Sequence, residues 1–438
     1  MKSKIPLIIW ACLACAILLI AYFRFFRRVL PSSTSFWMEV ICLAALALSI
    51  LAGLLLLLSA LARWLLMNNP AAAQKSLASV LPFLLAALVL LVVFVAASQW
   101  SAYTPPITAA GGAPRPESIA SLEKVRLGGV DQWLILRGRD VNKPVLLFLS
   151  GGPGASEAAR VLRFNQDLEE HFVVAIWEQR GCGKSYPAGA PLRALTVEQY
   201  TSDLIELVEM LRPRFDEQKI YLVGHSWGTI IGVRAAQARP ELFHAYVGTA
   251  QMVNVLETDR IIYRMVLDHA RQNGDTAFVQ TLETQGEPPY LGKSPIRPYS
   301  TLFGREYAVF EVPNIKNEEY RREGDILLLM LKQPEYGWLD RVYYLLGLMN
   351  TFNAVYPQLQ EMDFRLDATQ LEVPVYLVQG RHDMNNPSQL PEDYFQQLKA
   401  PLKRLDFFED SGHGMIWEEA SRFTDLMVRT VLPDTYTP

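Results

Sequence analysis

Three long apolar runs dominate the first hundred positions. They cover residues 5–23, 40–62 and 77–98, broken by Arg24 and Glu39 and closed by Trp100 and Tyr103. Each has the roughly 20 apolar residues that a helix needs to cross a hydrocarbon core, and aromatic side chains at the end of the third suit a membrane interface. A cleaved signal peptide does not fit the first run, which is too long and ends in Arg24-Phe25-Phe26-Arg27-Arg28 instead of small residues. The pattern predicts three transmembrane helices within a membrane region at 1–103.

Residues 104–120 contain Pro105-Pro106, Gly111-Gly112, Pro114 and Pro116 and read as an extended linker. Beyond it the period changes. Residues 122–127 and 132–137 flank Gly128-Gly129 as a hairpin. Runs at 144–149 and 172–177 are apolar throughout, as expected of strands buried on both faces. Tyr200, Leu204, Leu207 and Leu211 share one face of a helix over 197–211. Strands follow at 219–223 and 245–250, then at 374–378 and 403–408, with a last helix over 417–431. Strands alternating with helices predict an α/β fold with a mostly parallel, doubly wound sheet. Residues 253–369 have helical segments (260–270, 325–331, 342–349) and no clear strand. The domains expected are therefore a core of 121–252 and 370–438 and a helical cap of 253–369.

Charge divides the chain in the same place. The first hundred residues carry seven basic side chains and one acid, a net of +6; the whole chain is −4, which leaves −10 for the rest. That acidic remainder argues against a nucleic-acid partner. A lipid bilayer is the expected partner of the apolar helices. With three crossings, Lys2, Lys4, Arg63 and Lys75 fall on one side and Arg24, Arg27, Arg28 and Arg115 on the other, so the positive-inside rule nearly ties. Lys75 before the third helix, with no cation soon after it, leans toward an extracytoplasmic placement of the residues that follow, on a bacterial-type plasma membrane. Cys12, Cys15 and Cys42 lie in apolar runs, and Cys182 stands alone in the remainder, so that part has no internal disulfide. No Cys/His spacing suggests a metal, and no cofactor is expected.

The chemistry concentrates at Gly224-His225-Ser226-Trp227-Gly228, between an apolar strand and a helix. Glycines on both sides permit the abrupt turn that lifts a serine hydroxyl off a sheet. A serine hydroxyl needs a base, and the base needs a carboxylate. Asp383 ends the strand-turn Gly380-Arg381-His382-Asp383, and His413 lies in the loop Ser411-Gly412-His413-Gly414. The order Ser226, Asp383, His413 is that of an α/β-hydrolase. His382 is a rival base, Asp410 a second choice of acid, and Glu409 a surface acid. His225 is expected to pack beside the nucleophile. The N–H groups of Gly152, in Ser150-Gly151-Gly152-Pro153-Gly154, and of Trp227 would receive a developing oxyanion. Arg180 would brace loops, or meet a substrate carboxylate.

These motifs resemble the proline iminopeptidase-like serine peptidases of the α/β-hydrolase superfamily. Gly151-Gly152-Pro153-Gly154 is similar to that family's oxyanion loop, with Ser150 where the family usually has His. Residues 177–185 resemble its Asp-Gln-Arg-Gly loop, and residues 224–229 its nucleophile turn; the likeness covers about 121–433. The resemblance implies a cofactor-free aminopeptidase for small peptides whose acidic cap residues hold the substrate amine, with Glu306, Glu311, Glu318, Glu319 and Glu323 available. Activity would rise as His413 deprotonates, at roughly pH 6–7 for an unshifted imidazole. A carboxylesterase or lipase at the bilayer surface is the alternative, its cap residues Trp338, Tyr343, Tyr344, Leu345 and Leu346 admitting acyl chains. A non-catalytic membrane sensor or binding module is a further one.

Overall fold

The computed structural model describes residues 5–66, 70–109 and 112–436, so Lys2, Lys4 and Gly111 of the readings above lie outside the described residues. The chain forms two compact units. The first runs to Pro105 and takes in Leu331–Arg341; the second comprises Pro106–Met330 and Val342–Pro438.

In the first unit, helices α1 (Ile5–Arg24), α2 (Ser32–Leu66) and α3 (Pro70–Trp100) follow the three apolar runs. Among the described residues three helices are long and apolar enough to cross a membrane. Each is longer than its apolar run because polar residues at its ends continue the intrahelical ladder. Their outward faces are exposed leucines, isoleucines and valines, as at Leu48, Leu55 and Val92, which suits a lipid solvent in which backbone groups bond within the helix. Phe23 and Phe94 pack edge to face at 5.1 Å between α1 and α3. Leu331–Arg341, expected inside the cap, belongs to this unit. The reason is Glu39: its Oε1 accepts from Arg27 Nε at 3.0 Å, and its Oε2 from Arg341 Nη1 at 3.1 Å and Trp338 Nε1 at 2.7 Å. Trp338 is thus committed to a buried carboxylate and is not part of an acyl-chain wall.

The second unit is built on one eight-stranded sheet: β1 (Ile119–Leu127), β2 (Val130–Gly138), β3 (Val145–Leu149), β4 (Val173–Glu178), β5 (Ile220–His225), β6 (Phe243–Thr249), β7 (Val375–Gly380) and β8 (Lys403–Phe408). Their order is β1-β2-β4-β3-β5-β6-β7-β8. The β1–β2 hairpin and the β2–β4 pair are antiparallel, and every later pairing is parallel. β3 to β7 are buried along their whole length, whereas the edge strand β8 is largely accessible. Helices α4 (Ala158–Phe164), α5 (Val197–Arg214) and α6 (Trp227–Ala238) make the crossovers. α5 starts at Thr196, whose hydroxyl accepts from Gln199 N–H, and buries the expected Tyr200, Leu204, Leu207 and Leu211. This is the α/β-hydrolase architecture that the alternation predicts.

Between β6 and β7 come α7 (Val255–Gln272), α8 (Thr276–Gln285), α9 (Ile296–Glu306), a π-helical turn (Tyr307–Glu311), α10 (Glu318–Glu323), α11 (Ile326–Lys332) and α12 (Trp338–Val355). The final helix expected over 417–431 is divided into Met415–Glu418, Ala420–Leu426 and a π-helical turn at Met427–Val431.

Candidate active site

Because β3, β5 and β7 run parallel, the loops after them emerge at one edge of the sheet, and these loops carry Gly152, Ser226 and Asp383. Ser226 occupies φ +50° and ψ −119°, a conformation costly for any residue with a Cβ. Its flanking glycines answer a different need. A Cβ on Gly224 would lie 2.7 Å from Gly228 O, and one on Gly228 would lie 2.3 Å from Leu149 O. Both have ordinary φ; what they supply is clearance for the turn to close against β3.

His413 Nδ1 lies 3.1 and 3.2 Å from the two oxygens of Asp383. A carboxylate can only accept, so Nδ1 carries a proton and the neutral ring leaves Nε2 as acceptor. Asp383 is buried, and its oxygens also receive Asn386 N–H at 2.7 Å and Gln379 Nε2 at 3.0 Å. Ser226 is buried, and among the described residues its hydroxyl has no hydrogen bond to His413. The acid and the imidazole are therefore joined, and no hydrogen bond joins the alcohol to either, so the relay expected from the sequence is not closed. Among the described residues neither the Gly152 N–H nor the Trp227 N–H has an acceptor. Gly152 adopts φ +125°, which a side chain would resist.

The rivals lie elsewhere. Among the described residues the His382 ring has no hydrogen bond, and its backbone N–H bonds Ser411 O. Asp410 pairs with Lys316, and Glu409 with Arg381. Arg180 is buried and holds Asp203 through two bonds of 2.9 and 3.0 Å, with longer contacts to the Gly128 and Ala188 carbonyls. It is a brace, as expected, although its principal partner on α5 is not marked by any motif.

The supports were not visible in the motifs. Glu157 accepts from Gly151 N–H at 2.7 Å, and its carboxylate lies 3.0 Å from His225 Nδ1. Glu157 N–H in turn bonds Ser150 Oγ at 3.2 Å, so serine does hold this loop. Gln179 donates to Ser150 O at 3.1 Å and accepts from Trp227 Nε1 at 2.9 Å, tying the loop after β4 to both neighbours. The His413 loop is held by Glu311, which takes His413 N–H, and by Glu418, which takes Gly412 N–H, both at 2.8 Å.

Carboxylates also set the electrostatics. Burial alone would depress the His413 pKa, but the Asp383 charge and hydrogen bond, with Glu311 and Glu157 behind them, push it up to about 9. Glu306 and Glu311 are fully buried beside one another. Burial, then the negative charge of neighbouring carboxylates, raises both well above the carboxylate range. The groups facing the Glu306 carboxyl are those of Glu311 and Asn385. Of the other cap acids, Glu319 and Glu323 pair with Arg163, and Glu318 is exposed.

Comparison with known proteins agrees with this architecture. Residues 144–420 match the alpha/beta hydrolase fold family. The chain is 30% identical over 316 residues to the probable aminopeptidase YbaC of Bacillus subtilis, covering 72% of this chain and 98% of that protein. It is 23% identical to a proline iminopeptidase of Saccharolobus solfataricus, over 64% of this chain and 83% of that one. Among solved structures, VinJ superposes with a TM-score of 0.51 at 18% identity, over 72% of this chain and 99% of VinJ.

Proposed function

Since this chain belongs to the α/β-hydrolase family, we propose that it is a membrane-anchored serine hydrolase that releases the N-terminal residue of small peptides through an acyl-enzyme. The observation that carries the serine mechanism is the Asp383–His413 hydrogen bond at the sheet edge where Ser226 sits on its strained turn. His413 Nε2 takes the Ser226 proton as Oγ attacks the substrate carbonyl. The Gly152 and Trp227 N–H groups stabilise the oxyanion. Collapse breaks the C–N bond, and the leaving amine receives that proton from His413. Water, deprotonated by the same imidazole, then releases the acyl group and regenerates Ser226. No step needs a metal or an organic cofactor.

The preference for an N-terminal residue is supported by Glu306 and Glu311. Burial and their own proximity oppose ionisation of these two adjacent acids, and a cation between them would favour it. A substrate ammonium has the charge and the donors to fill that place. The names of the Bacillus and Saccharolobus relatives agree with it. The three apolar helices support the membrane anchor.

The test has two parts. Labelling by a fluorophosphonate should stop in Ser226→Ala. Prolyl- and alanyl-naphthylamides should be cleaved, and blocking their amine should abolish turnover. Labelling at another residue would overturn the mechanism. Faster cleavage of short acyl esters than of either naphthylamide, indifferent to a free amine, would favour the esterase.

A further inference from the structure

We propose that the first unit holds a binding site for a phosphate anion, of the kind borne by a phospholipid headgroup, at the N-terminus of α2. A narrow cleft of about 20 Å³ lies there, lined among others by Arg27, Ser32, Ser35, Glu39, Lys332 and Arg341. Its charge is unbalanced: three cations face one carboxylate. Both oxygens of that carboxylate are already engaged, by Arg27 on one and by Arg341 and Trp338 on the other. An incoming anion therefore meets three lining cations whose one lining carboxylate is committed, with the buried acids Asp340 and Glu335 behind Arg341 and Tyr103.

The helix terminus adds to that field. The first turn of α2 contains no acidic residue, and its first hydrogen bond is Ser35 N–H to Pro31 O at 3.0 Å. The N–H groups ahead of Ser35 have no acceptor within the helix and sit at the positive end of a 35-residue dipole. Two further groups are independent evidence of a missing partner. Ser35 Oγ and Arg341 Nε are buried without a hydrogen bond, on side chains only 4% and 3% exposed, and both residues line the cleft. Buried polar groups are ordinarily satisfied. An oxygen-rich anion would accept from the hydroxyl, the guanidinium, the Lys332 ammonium and the helix N–H groups together.

The position fits a headgroup. α1 ends, α2 begins and α3 ends on the same side of the three-helix unit, where Arg24 stacks on Trp100 at 5.5 Å and Arg28 on Tyr103 at 5.0 Å. Cations and aromatic rings at helix ends mark the interfacial layer, and basic pockets between such helices take lipid phosphates. Free phosphate presents the same oxygens and is the other possible source.

The full-length protein in detergent is the material for the test, read by its thermal unfolding midpoint. Phosphatidylglycerol, diacylglycerol with the same chains, and inorganic phosphate against chloride at equal ionic strength are the probes. Phosphatidylglycerol should raise the midpoint saturably and diacylglycerol should not. Lys332→Ala, which removes a half-buried cation outside the Glu39 cluster, should weaken the apparent affinity about tenfold. Ser35→Ala, a deletion of one hydroxyl, should weaken it in the same direction. A response to phosphatidylglycerol alone assigns the site to lipid, and an equal response to inorganic phosphate assigns it to the free anion. Equal shifts with diacylglycerol, or a phosphate response unchanged in both variants, would overturn the proposal.

Discussion

His225 Nε2 lies 2.9 Å from the backbone carbonyl oxygen of His413. A carbonyl only accepts, so Nε2 is the donor, and the residue before the nucleophile holds the main chain of the imidazole proposed as base. On its other side His225 Nδ1 meets Glu157, which also takes Gly151 N–H. One buried chain of contacts thus links the oxyanion loop, the nucleophile turn and the His413 loop. A loosening of His413 by even 1 Å is costly to proton transfer. His225→Ala should lower kcat by roughly 10- to 100-fold with little change in KM. His225→Gln, which keeps an N–H donor, should recover part of it. Steady-state kinetics on a naphthylamide would decide; an unchanged kcat in His225→Ala would remove the positioning role.

Loss of Ser226 is expected to be more severe. Ser226→Ala should cost on the order of a thousandfold or more in kcat. Alanine keeps a Cβ at φ +50°, so the strain of the turn is not relieved and the unfolding midpoint should stay near that of the parent. Turnover within tenfold of the parent would show that another group attacks.

The pH profile should lie higher than the sequence suggests. An unshifted histidine gives a rise at about pH 6–7, but the carboxylates around His413 push its pKa up to about 9. The base is the neutral imidazole, so kcat/KM should keep rising from neutral pH and level off only in the alkaline range. Glu311→Gln removes a negative charge that favours the imidazolium, so the rise should move to lower pH. A parent profile complete by pH 7, or no displacement in Glu311→Gln, would contradict this account.

Much of this arrangement was legible because its signals are local. Three apolar runs, one strand-turn-helix serine motif and two loops in the right order are enough to predict α1–α3, the sheet, the turn at Ser226 and the Asp383–His413 contact. What escaped depends on pairing across long separations. Nothing near Glu157 says that it meets His225, and nothing near Asp203 says that it meets Arg180. Trp338 reads as one more aromatic of the cap until Glu39, about three hundred positions earlier, is seen to accept its indole N–H. The glycines of the nucleophile turn were recognised for their lack of a Cβ, but the neighbours that demand it, Leu149 O for Gly228 and Gly228 O for Gly224, are visible only in three dimensions. Gly228→Ala should accordingly prevent close packing of the turn on β3 and lower the unfolding midpoint, whereas alanine at Gly129, with nothing within 4 Å of its added Cβ, pays only for its positive φ.

Glu39 is the remaining group whose removal should be felt throughout its unit. It is 1% exposed and accepts from Arg27, Arg341 and Trp338. Replacing a buried ion cluster wholesale can be neutral, but deleting one partner strands the others in a poor solvent. Glu39→Ala would leave two buried guanidinium groups and an indole N–H without their shared acceptor, at a cost of about 3–5 kcal/mol. Glu39→Gln keeps one acceptor oxygen and should cost less. A coordinated replacement, Arg27→Met with Glu39→Leu and Arg341→Met, should restore much of what Glu39→Ala loses, because no charge then remains unpaired. Denaturant unfolding in detergent, followed by tryptophan fluorescence because Trp338 sits on this carboxylate, would rank the three. If Glu39→Ala is as stable as the parent, the cluster contributes nothing to the stability of the first unit.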